Sequence, residues 1–207
     1  MAKQTTAASA PRRRRADAER SVRAILAAAL DALAGDPDAS MAEIARRAGV
    51  VRATIYVHFP TRESLLDAVM EDAVADVARA TSEADPRSGE PEEALERVLL
   101  ATWRKLDQFH ALLAINTTRL SPEELHRRHL PVTAQLAPLI ERGQKEGVFR
   151  SDLPVSWHLA VIRAIVHTAS GELRSGRISE ADVERAMLAT ALAAIAASPA
   201  PDPRRAG

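Results

Sequence analysis

Cysteine is absent from the 207 residues. Disulfide frameworks, thiolate zinc sites and cysteine nucleophiles are therefore excluded. Aromatic residues make up only 3% of the chain, although 46% of it is hydrophobic. The apolar content is carried by Ala, Leu, Val and Ile, which suits packed helices better than a β-sandwich. No apolar run approaches the ~18 residues of a membrane span. The basic N-terminus is not followed by the apolar core of a signal peptide. A cytoplasmic protein without a membrane partner is expected. Net charge is lacking too, with 28 Lys and Arg against 28 Asp and Glu. Residues 1–70 nevertheless carry 11 Lys and Arg against 8 Asp and Glu, and the remainder 17 against 20. A mildly basic first third on an acidic remainder fits a nucleic-acid reader joined to something else.

Enzyme signatures are missing as well. There is no P-loop, dinucleotide fingerprint, nucleophile elbow or zinc-protease motif. The chain does not read as an enzyme, and no cofactor is expected. His126 and His129 stand at i, i+3, with His110 upstream, a spacing that suits a metal pair. The intervening Arg127 and Arg128 would repel a cation, so the pair reads as a solvated polar face, and no metal is expected.

What is present is helical period. Residues 1–16 hold the run Arg12-Arg13-Arg14-Arg15 without apolar periodicity, and read as a disordered basic arm. Such an arm can touch DNA phosphates or the minor groove through Arg14 and Arg15. Asp17 is positioned to cap a first helix with Val22, Ile25, Leu26, Ala29 and Leu33 on one side, ended at Gly35. Ser40-Met41-Ala42-Glu43 forms a capping box, in which Ser and Glu satisfy each other's free amides. The short helix it opens stops at Gly49. A second short helix spans 51–57 and is broken by Pro60, after which Thr61 caps a longer one.

Residues 85–91 form a turn-rich joint. Helices follow over 91–109 and near 110–118, and another starts at Ser121-Pro122. Pro131 is expected to open a further helix that Gly147 ends, with a kink at Pro138. The last two run over 154–174 and 179–197, and residues 199–207 form a Pro-rich disordered tail. The expectation is an all-α protein of about nine helices. A helix-turn-helix domain with three helices occupies 17–80, and a larger helical ligand-binding and dimerisation domain occupies 81–198.

Two short capped helices about a tight turn at Gly49 make a helix-turn-helix, whose second helix presents its N-terminal half to base edges. Ile44, Ala45, Val50 and Ile55 clamp the pair. Arg52, Ala53, Thr54 and Tyr56 face outward or partly so. Arg bonds guanine edges, Thr meets thymine methyls or phosphates, and Tyr donates to phosphate.

The stretch Ile44-Ala45-x-x-Ala48-Gly49-Val50-x-x-x-Thr54-Ile55-Tyr56-x-His58-Phe59-x-x-x-Glu63-x-Leu65-Leu66 resembles the TetR family of bacterial regulators. Ile25-Leu26-x-Ala28-Ala29 fits the family's first helix. The resemblance covers residues 18–70 in detail and the rest in architecture. It departs at Val51, where the family usually has a capping Ser, at Ala53 in place of Gly, and at Thr61-Arg62 in place of Ser-Lys. By position it implies that Arg52, Ala53 and Thr54 meet bases or nearby phosphates, while Tyr56, His58 and Arg62 hold the backbone. Amides at Thr61 would cradle a phosphate.

The resemblance further implies a ligand-responsive repressor, a homodimer released from double-stranded operator DNA by a small-molecule inducer. An inducer cavity would form among helices of residues 91–175. Trp103, Leu106, His110, Leu113, Asn116 and Thr117 lie near one face of these helices, and Arg163 and His167 offer polar anchors. Leu159, Ile162 and Val166 make one helical stripe. Val183, Met187, Ala191 and Ile195 make a second. Each stripe suits either a core within one chain or a four-helix bundle shared by two, and the resemblance favours the dimer interface.

Overall fold

A computed structural model describes residues 9–106, 109, 115 and 120–197. Eight helices are named among the described residues: α1 (Ser9–Gly35), α2 (Met41–Arg47), α3 (Arg52–His58), α4 (Arg62–Glu83), α5 (Pro91–Leu106), α6 (Pro122–Lys145), α7 (Val155–Arg174) and α8 (Glu180–Ile195). The one β pairing among the described residues is an isolated antiparallel bridge, Phe149 with Ala196. No helix among them is long and apolar enough to cross a membrane. The all-α expectation holds. The helix expected near 110–118 lies almost wholly outside the described residues, as does the tail from 199.

The chain forms two compact units, with the division inside α4 between Ala73 and Val74. The first is built on α1–α3 and the opening of α4. Ile25, Ala29, Ala32 and Leu33 of α1 are buried with Ile44 and Ala45 of α2, Ile55 of α3, and Leu65, Leu66 and Val69 of α4. The 3–4 spacing along α1 places these side chains on one face.

The arm is corrected. α1 begins at Ser9 and takes in Arg12–Arg15. Arg is a good helix former, and Pro11 sits in the first turn, where its missing N–H leaves no intrahelical bond unmade. Asp17 therefore lies inside the helix, and its carboxylate pairs with Arg20.

In the second unit α5 packs on α6 and α8, and α7 packs on α6 and α8, so the four helices close a ring. Its core holds Leu95, Val98, Leu99 and Trp103 of α5, Leu136, Leu139 and Ile140 of α6, Ile162 and Val166 of α7, and Met187, Ala191 and Ile195 of α8. This corrects the dimer stripe. Ile162, Val166, Met187, Ala191 and Ile195 are each at most 6% exposed within one chain, so their side chains are spent mainly within it, and of the five only Met187 lines the open groove along α7 and α8. Only Leu159 of that set remains half-buried.

Pro131 does not open a helix. α6 runs unbroken through Pro131 and Pro138. Each proline removes one i→i−4 bond. The apolar face Val132, Leu136, Leu139 and Ile140 is buried along one side and offsets that loss. Side chains also serve α6 carbonyls: His129 Nδ1 lies 2.7 Å from Leu125 O, and Gln135 Nε2 donates to Pro131 O at 2.9 Å.

Gly147, at φ +75°, ends α6, and the chain turns back over it. Gly143, inside α6, supports the Phe149 ring, which a Cβ there would overlap. Gly143→Ala is expected to lower stability by about 1–3 kcal/mol through overpacking, measured as a reduced urea midpoint. An unchanged midpoint would mean that the Phe149 ring repacks freely.

Candidate nucleic-acid interface

The α2–α3 pair is fixed at both ends by local chemistry. Ser40 Oγ accepts from the Glu43 amide at 3.2 Å, capping α2. The reciprocal half of the expected capping box is replaced. Glu43 Oε1 instead accepts from Arg47 Nε and Nη2, at 3.2 and 2.9 Å, while Arg47 Nη1 reaches Asp31 of α1 at 2.8 Å. This links the bracing helix to α1. Both partners hold the Arg47 guanidinium in its charged form, with Glu43 the larger influence. At Gly49, φ is +67°, a left-handed turn that a side chain would strain. The Val50 amide then bonds Ala45 O at 3.0 Å.

Val51 occupies the N-cap of α3, 70% exposed and without a side-chain cap bond. The amides opening α3 therefore lack the side-chain partner that the family's usual Ser would supply. Arg52, Ala53, Tyr56 and Val57 are exposed, Thr54 and His58 are half-buried, and Ile55 and Phe59 are buried. At 100° per residue the four exposed positions span roughly 140° of the helix. The Arg52 guanidinium carbon lies 5.6 Å from the Tyr56 ring centroid, a cation–π contact that orders both side chains. Val57, 76% exposed, was not foreseen as a contact residue. Its place one turn after Ala53 was the signal.

α4 opens with a reciprocal box. The Ser64 amide donates to Thr61 Oγ1 and the Thr61 amide to Ser64 Oγ, both at 3.1 Å. Thr61 caps as expected. Arg62 does not stand free over a phosphate. Its Nη1 and Nη2 donate at 2.5 Å to Ala39 O and Pro37 O, so the residue holds the α1–α2 connection. Arg15 is exposed on α1. Arg14 belongs to α1 too, but its side chain lies outside the described residues.

Of the expected ligand contacts, Trp103 and Leu106 are buried in the α5 face of the second unit. Arg163 and His167 are half-buried on α7. His110, Leu113, Asn116 and Thr117 lie outside the described residues. His129, expected on a solvated face, is instead half-buried on α6, its ring centroid 5.6 Å from that of His167. His126 is exposed. No group of three or more His, Asp or Glu residues is placed to hold a metal ion among the described residues.

The family model described as bacterial regulatory proteins, tetR family, matches residues 25–69, the segment just built. The chain is 45% identical over 82 residues to the HTH-type transcriptional repressor LfrR of Mycolicibacterium smegmatis, across 39% of this chain and 43% of that protein. The helix-turn-helix segment, residues 25–69, is thus of the TetR type. A second relative, the HTH-type transcriptional repressor KstR2 of Rhodococcus jostii, is 25% identical over 158 residues, across 73% of this chain and 78% of its own. Among solved structures, LfrR in complex with proflavine aligns at a TM-score of 0.70 and 25% identity, covering 87% of this chain and 98% of that one. The sequence alignment with LfrR thus spans less than half of that repressor, while the likeness of fold extends over almost all of it.

Proposed function

We propose that this protein is a TetR-family transcription repressor that binds operator DNA as a homodimer and is released by a small molecule. The observation that carries this reading is the exposed face of α3, clamped from behind by Ile44, Ala45 and Ile55. Arg52 and Ala53 would enter the major groove, with Thr54 at its edge. Tyr56 and His58 would lie toward the phosphates. Val51 and Val57 add methyl groups suited to thymine. Helix α4 would offer its first amides to a phosphate. Arg14 and Arg15 would add charge from α1.

The dimer face is the outer side of α7 and α8. Ala164, Ile165 and Thr168 of α7, with Ile178, Ala186 and Thr190, line an open apolar groove there. The occupant is a second copy of this chain. A two-fold pair of reading heads needs such a joint, and small residues on both helices permit close approach. The small-molecule response is supported by LfrR, which was crystallised with proflavine. A ligand releases DNA only if it favours the form that binds DNA less tightly.

Two arginines test the reading in gel shifts on the protein's own upstream region. Arg52→Ala should cost about 1–3 kcal/mol at one base position and relax specificity there, with the melting temperature kept, because Arg52 is exposed and its cation–π partner Tyr56 lies on the same exposed face of α3. Arg62→Ala should weaken binding on every operator variant and also lower the melting temperature. It strips charged donors from two carbonyls, each such bond contributing on the order of 1.5–3 kcal/mol before solvent exposure reduces it. An Arg52→Ala protein that discriminates operators like the wild type would remove α3 from the role of reader.

A further inference from the structure

We propose that Arg163, with His167 beside it on α7, forms a binding site for the carboxylate of an organic acid, so that the releasing ligand is an anion. The proposal rests on the ligand-responsive reading above and names the class of that ligand. Arg163, His167 and Ser170 stand at i, i+4 and i+7 on α7, one face of the helix. His129 meets that face from α6.

Three observations converge there. Arg163 is half-buried and makes no hydrogen bond or ion pair among the described residues, a costly state for a charge withdrawn from water. The neighbouring arginines are engaged elsewhere: Arg127 and Arg128 both pair with Glu124. Among the described residues His167 makes no hydrogen bond either, and Ser170 Oγ is buried without a partner. The site is thus rich in unused donors.

The two imidazoles are held neutral. Burial is the main cause for both. It lowers the His167 pKa to about 4, with His129 and Arg163 adding to the effect. For His129 the hydrogen bond to Leu125 O opposes the shift, while Arg163 and exposed His126 reinforce it. Near neutral pH the cluster therefore carries the single charge of Arg163. One positive charge in a planar fork matches one carboxylate, bound by two parallel N–H bonds. A phosphate dianion would be left half-neutralised. His129 directs Nδ1 at Leu125 O (2.7 Å), so that nitrogen carries the proton, Nε2 is left as an acceptor, and His129 walls the site while Arg163 and His167 supply the donors. The site also repels cations, which sets it against proflavine, a cationic dye bound by LfrR.

The test uses the full-length protein with three probes: 2-naphthoate, its uncharged amide, and proflavine. Calorimetry should show naphthoate binding roughly tenfold to hundredfold more tightly than the amide, with proflavine weaker than both. Arg163→Gln should abolish that preference, and Arg163→Lys should recover part of it, because Lys keeps the charge but lacks the fork. A bound anion raises both imidazole pKa values, so naphthoate binding near pH 5.5 should draw in protons, read from the heat in buffers of different ionisation enthalpy. A merely structural Arg163 would alter melting but not the naphthoate-to-amide ratio. If the wild type binds the three probes equally, prefers proflavine or binds none while still shifting operator DNA, the anion site is overturned and the repressor reading stands. If the wild type fails to shift operator DNA, the repressor reading itself falls.

Discussion

Ile162→Asp should abolish cooperative melting of the second unit rather than yield a folded monomer. Ile162 is 3% exposed and sits on the inner face of α7, in the ring closed by α5, α6 and α8. The substitution removes a buried aliphatic group, whose loss alone costs about 2–5 kcal/mol when truncated to Ala. It then places a carboxylate where no described cation waits. Removing one partner of a buried ion pair costs about 3–5 kcal/mol because it strands a charge, and an Asp introduced without a partner is stranded from the start unless it takes up a proton. The combined penalty rivals the 5–15 kcal/mol by which whole domains are stable. Ile162→Val, by contrast, should cost only about 0.5–1.5 kcal/mol. Circular dichroism melts of the two variants decide the matter. A folded Ile162→Asp chain that sediments as a monomer would return this stripe to the subunit interface.

Why the stripe misled in sequence is a matter of contrast between helix faces. Helical spacing identifies an apolar row, but α7 and α8 are apolar on more than one side. Ala169 and Ala191 are buried while Ala164 and Ala186 are exposed, and a methyl group carries no label for which. The same helices show the limit for polar residues. Arg163 and His167 were legible as odd polar positions in an apolar helix. His129 was not, because whether it meets solvent or α7 depends on the rotation of α6 about its own axis. Arg127 and Arg128 beside it made solvent the natural choice.

The reading head was legible because its signals are local. Ser40, Gly49, Pro60 and Thr61 fix the ends of three helices within about twenty residues, and the backbone there does what those residues favour. What escaped was long-range or depended on alternatives. Arg62 meets carbonyls 23 and 25 positions earlier in the chain, a contact that no local period announces. Glu43 had two possible partners, and the Arg47 guanidinium, anchored also to Asp31, took it from the Ser40 amide. Pro131 was read as a helix opener because proline at a first turn is cheap. The buried face from Val132 to Ile140 instead carries the helix through it.

The outer face of α7 and α8 is where a charge should separate subunits without unfolding either. Ala164 is exposed in the single chain and lines the groove opposite Ala186 and Thr190. In a two-fold interface each substitution appears twice, near the axis. Ala164→Arg would bring two guanidinium groups together in an apolar joint, each needing water that the joint excludes. Within one chain the same Arg extends into solvent, so the melting profile of the isolated protomer should stay close to that of the wild type. Helix propensity favours Arg nearly as well as Ala. The operator should register the loss strongly. Linking two heads turns the second half-site contact into an intramolecular event, an advantage on the order of 10²–10⁴ in affinity, and a monomer forfeits it. Sedimentation velocity at micromolar concentration, run beside gel shifts on intact and half operators, separates the outcomes. The expected result is a monomer that binds the half-site like the wild type and the intact operator no better than the half-site. A variant that stays dimeric with full operator affinity would move the interface away from α7 and α8, and a wild type that sediments as a monomer would leave the groove without its proposed occupant.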